Sequence, residues 1–91
     1  MSEEAAPQPV AVVWSPEARA DLRAIDRDTA LRLLKSLDRF LKTGAGNVKQ
    51  LEGFNPPLFR IRIGAWRLIY RKQVDNAIEV VRVRNRKDAY R

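Results

Sequence analysis

The chain contains neither cysteine nor histidine in its 91 residues. The first absence excludes a disulfide framework and thiolate metal centres. The second excludes imidazole acid–base chemistry and, with the first, the usual zinc ligand sets. No apolar run approaches the roughly 20 residues of a membrane span. The opening MSEEAAPQPV is acidic and rich in Ala and Pro, the wrong makeup for a secretory signal. The expectation is a soluble cytoplasmic protein with no metal, no cofactor and no membrane contact. Length is scarce too: residues 1–9 read as a disordered tail, and residues 10–91 suffice for one domain. A domain of this size buries only about 60% of the surface its unfolded chain exposes, so its core is thin.

What the chain has in excess is positive charge. Its formal charge is +7, and the whole excess lies at one end. Residues 1–56 carry eight Lys/Arg and eight Asp/Glu, whereas residues 57–91 carry ten and three. Such asymmetry points to a polyanion or an acidic protein as partner, with chance clustering as the bland alternative.

Local patterning predicts the elements. VAVVW (10–14) reads as a short strand. Ser15 is a good helix N-cap, Pro16 suits the first helical position, and Glu17 complements the helix dipole. Ala18, Leu22 and Ile25 share one face of that helix. A second helix restarts at DRD (26–28), with Asp28 as the expected cap. In it Ala30, Leu33, Leu34, Leu37, Phe40 and Leu41 follow the i, i+3, i+4, i+7 rule. It stops near the glycines of TGAG (43–46). VKQLEGFNPP (48–57) reads as a connector with turn residues.

LFRIRIGAWRLIYR (58–71) holds two alternating runs around Gly64-Ala65, the composition of a type II′ hairpin. That register sets Ile63 opposite Trp66, Ile61 opposite Leu68 and Phe59 opposite Tyr70, all on one face. Leu58, Arg60, Arg62, Arg67, Ile69 and Arg71 take the other. QVDN (73–76) turns the chain into a last strand, AIEVVRVR (77–84). Strict alternation there puts Ala77, Glu79, Val81 and Val83 on one side and Ile78, Val80, Arg82 and Arg84 on the other. The expected fold class is α+β: a small twisted antiparallel β-sheet with an N-terminal two-helix hairpin packed on one face.

In this register Arg62 lies directly across from Arg67, and like charges directly opposite are destabilising. A phosphate between them makes sense of the pair, because a guanidinium offers a planar fork to phosphate oxygens. Alternatively both side chains splay into water at a cost of tenths of a kcal/mol. Phe59, Trp66 and Tyr70 could stack on bases, but their assignment to the apolar face favours core packing, as for Trp14. Leu58 and Ile69 on the basic face have no place in a surface that binds only RNA. Tyr90 stands amid Arg86, Lys87 and Arg91. If RKDAYR makes a helical turn, Arg86 and Tyr90 share a face, and the surrounding charge lowers the phenol pKa. Tyr90 is then either a general base or an ordinary terminal tyrosine.

The order VVWSPEA, a two-helix stretch, KQLEG, LFRIRIGAWRLIY and VRVRNRKDAY resembles the RelE/ParE superfamily of bacterial toxin–antitoxin systems, closer to its RelE branch. The most specific segments are FRIRIGAWRLIY and NRKDAY. The resemblance covers roughly residues 10–91 and implies a toxin of a type II system. RelE-type members cleave mRNA in the ribosomal A site, so it implies a ribosome-dependent endoribonuclease. Its partners would be the ribosome, mRNA and a cognate antitoxin. Position by position, it implies catalytic roles for Arg67, Arg86 and Tyr90 and RNA binding by Arg60 and Arg62; Arg84 and Lys87, basic residues of the same C-terminal stretch, are expected to bind RNA with them. The chain departs from the family pattern in two respects. Both strand residues before the hairpin are Arg where Lys is frequent, and Asn85 stands where many relatives have His. ParE-type members share the fold but inhibit DNA gyrase without being enzymes, and that is the alternative reading.

Overall fold

A computed structural model describes residues 11–85. Five strands and two helices follow in the order β1 (Val12–Trp14), α1 (Pro16–Arg23), α2 (Arg27–Thr43), β2 (Asn47–Leu51), β3 (Leu58–Ile63), β4 (Trp66–Lys72) and β5 (Ile78–Asn85). A 3-10 turn, Val74–Asn76, leads into β5 with Asp75 left-handed at φ 59°. The sheet order is β1-β5-β4-β3-β2. It is mixed: β1 runs parallel to β5, and the other three pairings are antiparallel. The α+β class and the helical hairpin agree with the sequence reading, and the sheet differs from it by that one parallel edge and by an additional strand, β2.

The helix ends follow capping chemistry. Ser15 Oγ accepts the Ala18 N–H at 3.0 Å, with Pro16 and Glu17 in the first turn. For α2 the cap is Asp26, whose backbone is extended and whose carboxylate accepts the Thr29 N–H at 3.0 Å. Asp28, expected in that role, sits instead in the first turn, where its charge meets the positive end of the helix dipole. Gly44 closes α2 at φ 75°, donating its N–H to the Phe40 carbonyl.

The β3–β4 hairpin has the register read from its alternation, including Arg62 opposite Arg67. At its turn Gly64 has φ +59° and Ala65 is not left-handed, the φ pattern of a type II′ turn. The segment read as a connector, 48–57, contains all but the first residue of β2, whose residues Asn47–Leu51 pair with Arg62–Leu58. Its sequence, NVKQL, is too polar and too exposed to signal a strand by itself.

The core lies between the helices and one sheet face. Leu33 and Leu37 of α2 and Ala18 of α1 meet Ile61, Leu68, Tyr70, Ile78, Val80 and Val83. Trp14, Phe59 and Trp66 pack against this cluster. Tyr70 stacks on Phe59 with ring centroids 5.5 Å apart and tilts against Phe40 at 6.1 Å. These aromatics are core residues, as their register implied.

Strict alternation fails in β5. Its register against β4 shifts between Ile69 and Tyr70, which pair with Arg82 and Val80. Val81 is therefore an extra residue, a β-bulge. Ile78 and Val80 face the core before it and Val83 after it. Arg82 and Arg84 consequently lie on the face opposite to that of Ile78 and Val80, not on the same side.

Candidate nucleic-acid interface

The sheet face away from the helices is built from cross-strand rows. Registers across β2, β3, β4 and β5 place Asn47, Arg62, Arg67 and Arg84 in one row. The next row holds Lys49, Arg60, Ile69 and Arg82. Neighbouring strands lie about 4.8 Å apart, so three arginines in one row cover about 10 Å at the backbone. The bulge at Val81 makes this possible by turning Arg82 and Arg84 onto the face of Arg62 and Arg67.

The basic side chains are not equivalent. Arg71 is held by Glu79, with Nε and Nη2 each 2.6 Å from Oε1. Arg82 makes a two-pronged pair with Asp21 of α1, Nε to Oδ2 at 2.8 Å and Nη2 to Oδ1 at 3.0 Å. Arg60 donates to the backbone and side-chain oxygens of Asn47 at 3.3 and 3.4 Å. No carboxylate bridges Arg62 or Arg84 among the described residues. Arg62 is exposed and Arg84 half-buried. Arg62 also borders an open cavity of about 310 Å³ whose lining includes Ser36 and Arg39 of α2. The positive zone thus continues round the sheet toward the C-terminal half of α2.

Burial pushes the Asp21 carboxyl up. The Arg82 hydrogen bond, the Val83 N–H and the charges of Arg82 and Arg84 outweigh it and hold the group below the ordinary carboxylate range. Asp21 is therefore a carboxylate at neutral pH, bound to Arg82 and stabilised by the charge of Arg84.

Of the residues implicated by sequence, Arg60, Arg62, Arg67 and Arg84 lie together on one face of three adjacent strands. Arg86, Lys87 and Tyr90 lie outside the described residues. Sequence reasoning missed Lys49 and Asn47, because their strand was read as a connector. It also missed Asp21, which lies 61 residues from its partner Arg82.

The model of the ParE toxin of the type II toxin–antitoxin system parDE matches residues 12–90. The chain belongs to this toxin family. The match extends through Arg86 and Lys87 to Tyr90. No curated protein matches the sequence significantly. Among solved structures, the toxin is similar to the RelE–RelB complex from Pyrococcus horikoshii. That likeness has 22% identity and a TM-score of 0.69, covering 87% of this chain and 97% of that one. The toxin–antitoxin complex RelBE2 from Mycobacterium tuberculosis has 22% identity and a TM-score of 0.74, covering 86% and 92%. The YoeB dimer from Staphylococcus aureus has 20% identity and a TM-score of 0.65, covering 82% and 94%. At these identities the likeness shows the shared fold, a RelE-like α+β sheet with its helical hairpin.

Proposed function

We propose that this toxin is a ribosome-dependent endoribonuclease that stops translation by cutting mRNA on its arginine face. The observation that carries the reading is the row Arg62–Arg67–Arg84, three like charges on neighbouring strands. A sheet selected only for stability would interleave signs there. Single-stranded RNA supplies the matching charge, a run of phosphates a few ångströms apart that a line of guanidinium forks can grip.

The chemistry is an attack by a ribose 2′-OH on the adjacent phosphate. The nucleophile belongs to the substrate, so the protein has only to take its proton, stabilise charge on the phosphate and help the leaving oxygen. Tyr90 takes or positions the 2′-OH proton. Arg67 and Arg86 stabilise the charge that builds on the phosphate, a role in which a preorganised donor is worth several kcal/mol. Arg60, Arg62 and Arg84 orient the RNA backbone. Arginine does not give up a proton readily, so Lys87 or a ribosomal group assists the leaving oxygen. The test is cell-free translation with message ends mapped by primer extension. New ends appearing within codons are expected; unchanged ends at doses that arrest growth would overturn the reading.

The match to the ParE toxin model favours a second reading, non-enzymatic inhibition of DNA gyrase. It needs the basic fold without an arginine–tyrosine constellation. A variant carrying Arg86→Ala and Tyr90→Phe separates the two. The RNase reading expects it to be harmless; full toxicity with DNA damage supports gyrase inhibition.

Two of the similar structures are complexes with an antitoxin. A cognate antitoxin, acidic where it docks, is accordingly the proposed protein partner, relieving the repulsion at Arg62–Arg67 and covering Leu58 and Ile69. It should raise the melting temperature of the toxin, and an unchanged melting temperature on mixing would count against that placement.

A further inference from the structure

β1 is only three residues long, and its pairing with β5 ends at Trp14 opposite Val80. Beyond that point no strand among the described residues lies beside the outer edge of β5, yet three of its backbone groups find partners. Ser15 donates its N–H to the Val80 carbonyl at 3.0 Å and its hydroxyl to the Val81 carbonyl at 2.8 Å. Two turns along α1, Asp21 Oδ2 accepts the Val83 N–H at 2.9 Å while the same carboxylate holds Arg82. Helix α1 thus replaces a strand along the bulged segment. Its N-cap residue and one carboxylate serve the backbone groups on both sides of Val81.

Each of these interactions acts on a choice the strand itself leaves open. Val80 and Val81 are adjacent and apolar, so either could face the core. A one-residue slip turns every later side chain to the opposite face. Without the bulge, Arg84 would turn toward the helices and Val83 toward solvent. A bulge leaves one residue out of the ladder, and it persists where outside partners take up the backbone groups it displaces.

We propose that Asp21 is a positioning residue for the arginine face: by holding Arg82 and the Val83 N–H it fixes the β5 bulge and thereby keeps Arg84 in the row with Arg62 and Arg67. It also weakens Arg82 as a competitor, since two of the five guanidinium N–H groups and the balancing charge are already committed to a carboxylate. The consequence for RNA rests on the reading above, whereas the structural effect does not. The asymmetry of Glu79 makes the claim sharp. Glu79 likewise pairs with an arginine on this face, but it lies before the bulge and holds no backbone group of it.

The experiment compares Asp21→Asn and Asp21→Ala with Glu79→Gln in the full-length toxin. Every variant removes one negative charge from a chain already at +7, so bulk electrostatics alone would tighten RNA binding in all three. Backbone NMR of the free protein reads the cross-strand pairings Arg67–Arg84 and Leu68–Val83. Both should vanish in the Asp21 variants and persist in Glu79→Gln. Affinity for a short single-stranded RNA, measured against salt, reads the consequence. Each phosphate that the protein ceases to neutralise lowers the slope of log affinity against log salt by about 0.7. Asp21→Asn should show that drop and Glu79→Gln should not. Adding Arg84→Gln should lower the slope in the parent but not in Asp21→Asn, the non-additivity of residues that act together. Folded Asp21 variants that keep both pairings would overturn the proposal. If the pairings vanish while even the parent fails to bind free RNA, the positioning role stands, and the RNase reading is decided by the message ends in cell-free translation: unchanged ends overturn it.

Discussion

On the helix side of the sheet, Ile61, Leu68, Val80 and Val83 are sealed almost completely from solvent. On the other side, one residue along each strand, Arg62, Arg67 and Arg84 stand in a row. The same backbone carries both sets, so the difference reflects what each face meets. The apolar face is closed by α1 and α2. On the basic face the arginines fall into two groups. Arg71 and Arg82 are tied to Glu79 and Asp21, and they fix strand and helix positions. Arg62 and Arg84 have no carboxylate bridge among the described residues, and their charge is presented to whatever binds. On the proposed reading, ion pairing separates the basic residues tied within the fold from those left for a partner.

The largest expected effect tests the sealed face. Leu68 is 0% exposed, and truncating a fully buried leucine to alanine costs about 2–5 kcal/mol through lost burial and the cavity left behind. Leu68→Ala should lower the unfolding free energy by that amount in urea titrations, a large fraction of the stability of so small a protein. A loss under about 1 kcal/mol would mean that the helices do not close this face tightly.

A smaller effect should appear in acid. The Asp21 carboxyl, with Arg82 and the Val83 N–H bound to it, and the Asp26 cap carboxyl, with the Thr29 N–H bound to it, both titrate below the ordinary range. A carboxyl depressed in the folded state adds stability that is present above its unfolded pKa of about 4 and is lost as pH falls through the lower folded value. Thermal melting followed from neutral pH downward should show that loss. Asp21→Asn should begin less stable and lose less on acidification. An identical acid limb in the two proteins would remove Asp21 from the linkage.

Much of this was legible in the chain, and the failures share a cause. The β3–β4 register follows from six alternating apolar residues around a Gly-Ala turn, and α2 from a sustained helical period. Ser15 and Gly44 announce their caps by residue type. These signals are local. The bulge at Val81 is not: it is held by Ser15 and Asp21, more than 60 residues earlier in the chain. β2 is specified by the partner it pairs with, because NVKQL has no apolar face of its own. Arg62 and Arg67 could be placed opposite each other from sequence. Arg84 could not be added to them, since its side depends on that distant clamp.

The smallest expected change in stability carries the sharpest contrast between the faces. Arg62→Glu turns a like-charged cross-strand pair into an opposite-charged one, a difference of about 0.2–1 kcal/mol in favour of the variant. The variant should unfold at slightly higher denaturant and arrest growth less when expressed without an antitoxin. A residue kept for stability gives the opposite sign for the fold, a lower denaturant midpoint, with toxicity falling in step. Growth arrest at the parent's level with the predicted gain in stability would move the binding surface away from this row. A loss of both would return Arg62 to the fold, and the division of the sheet into a structural face and a partner-binding face would need redrawing at its centre.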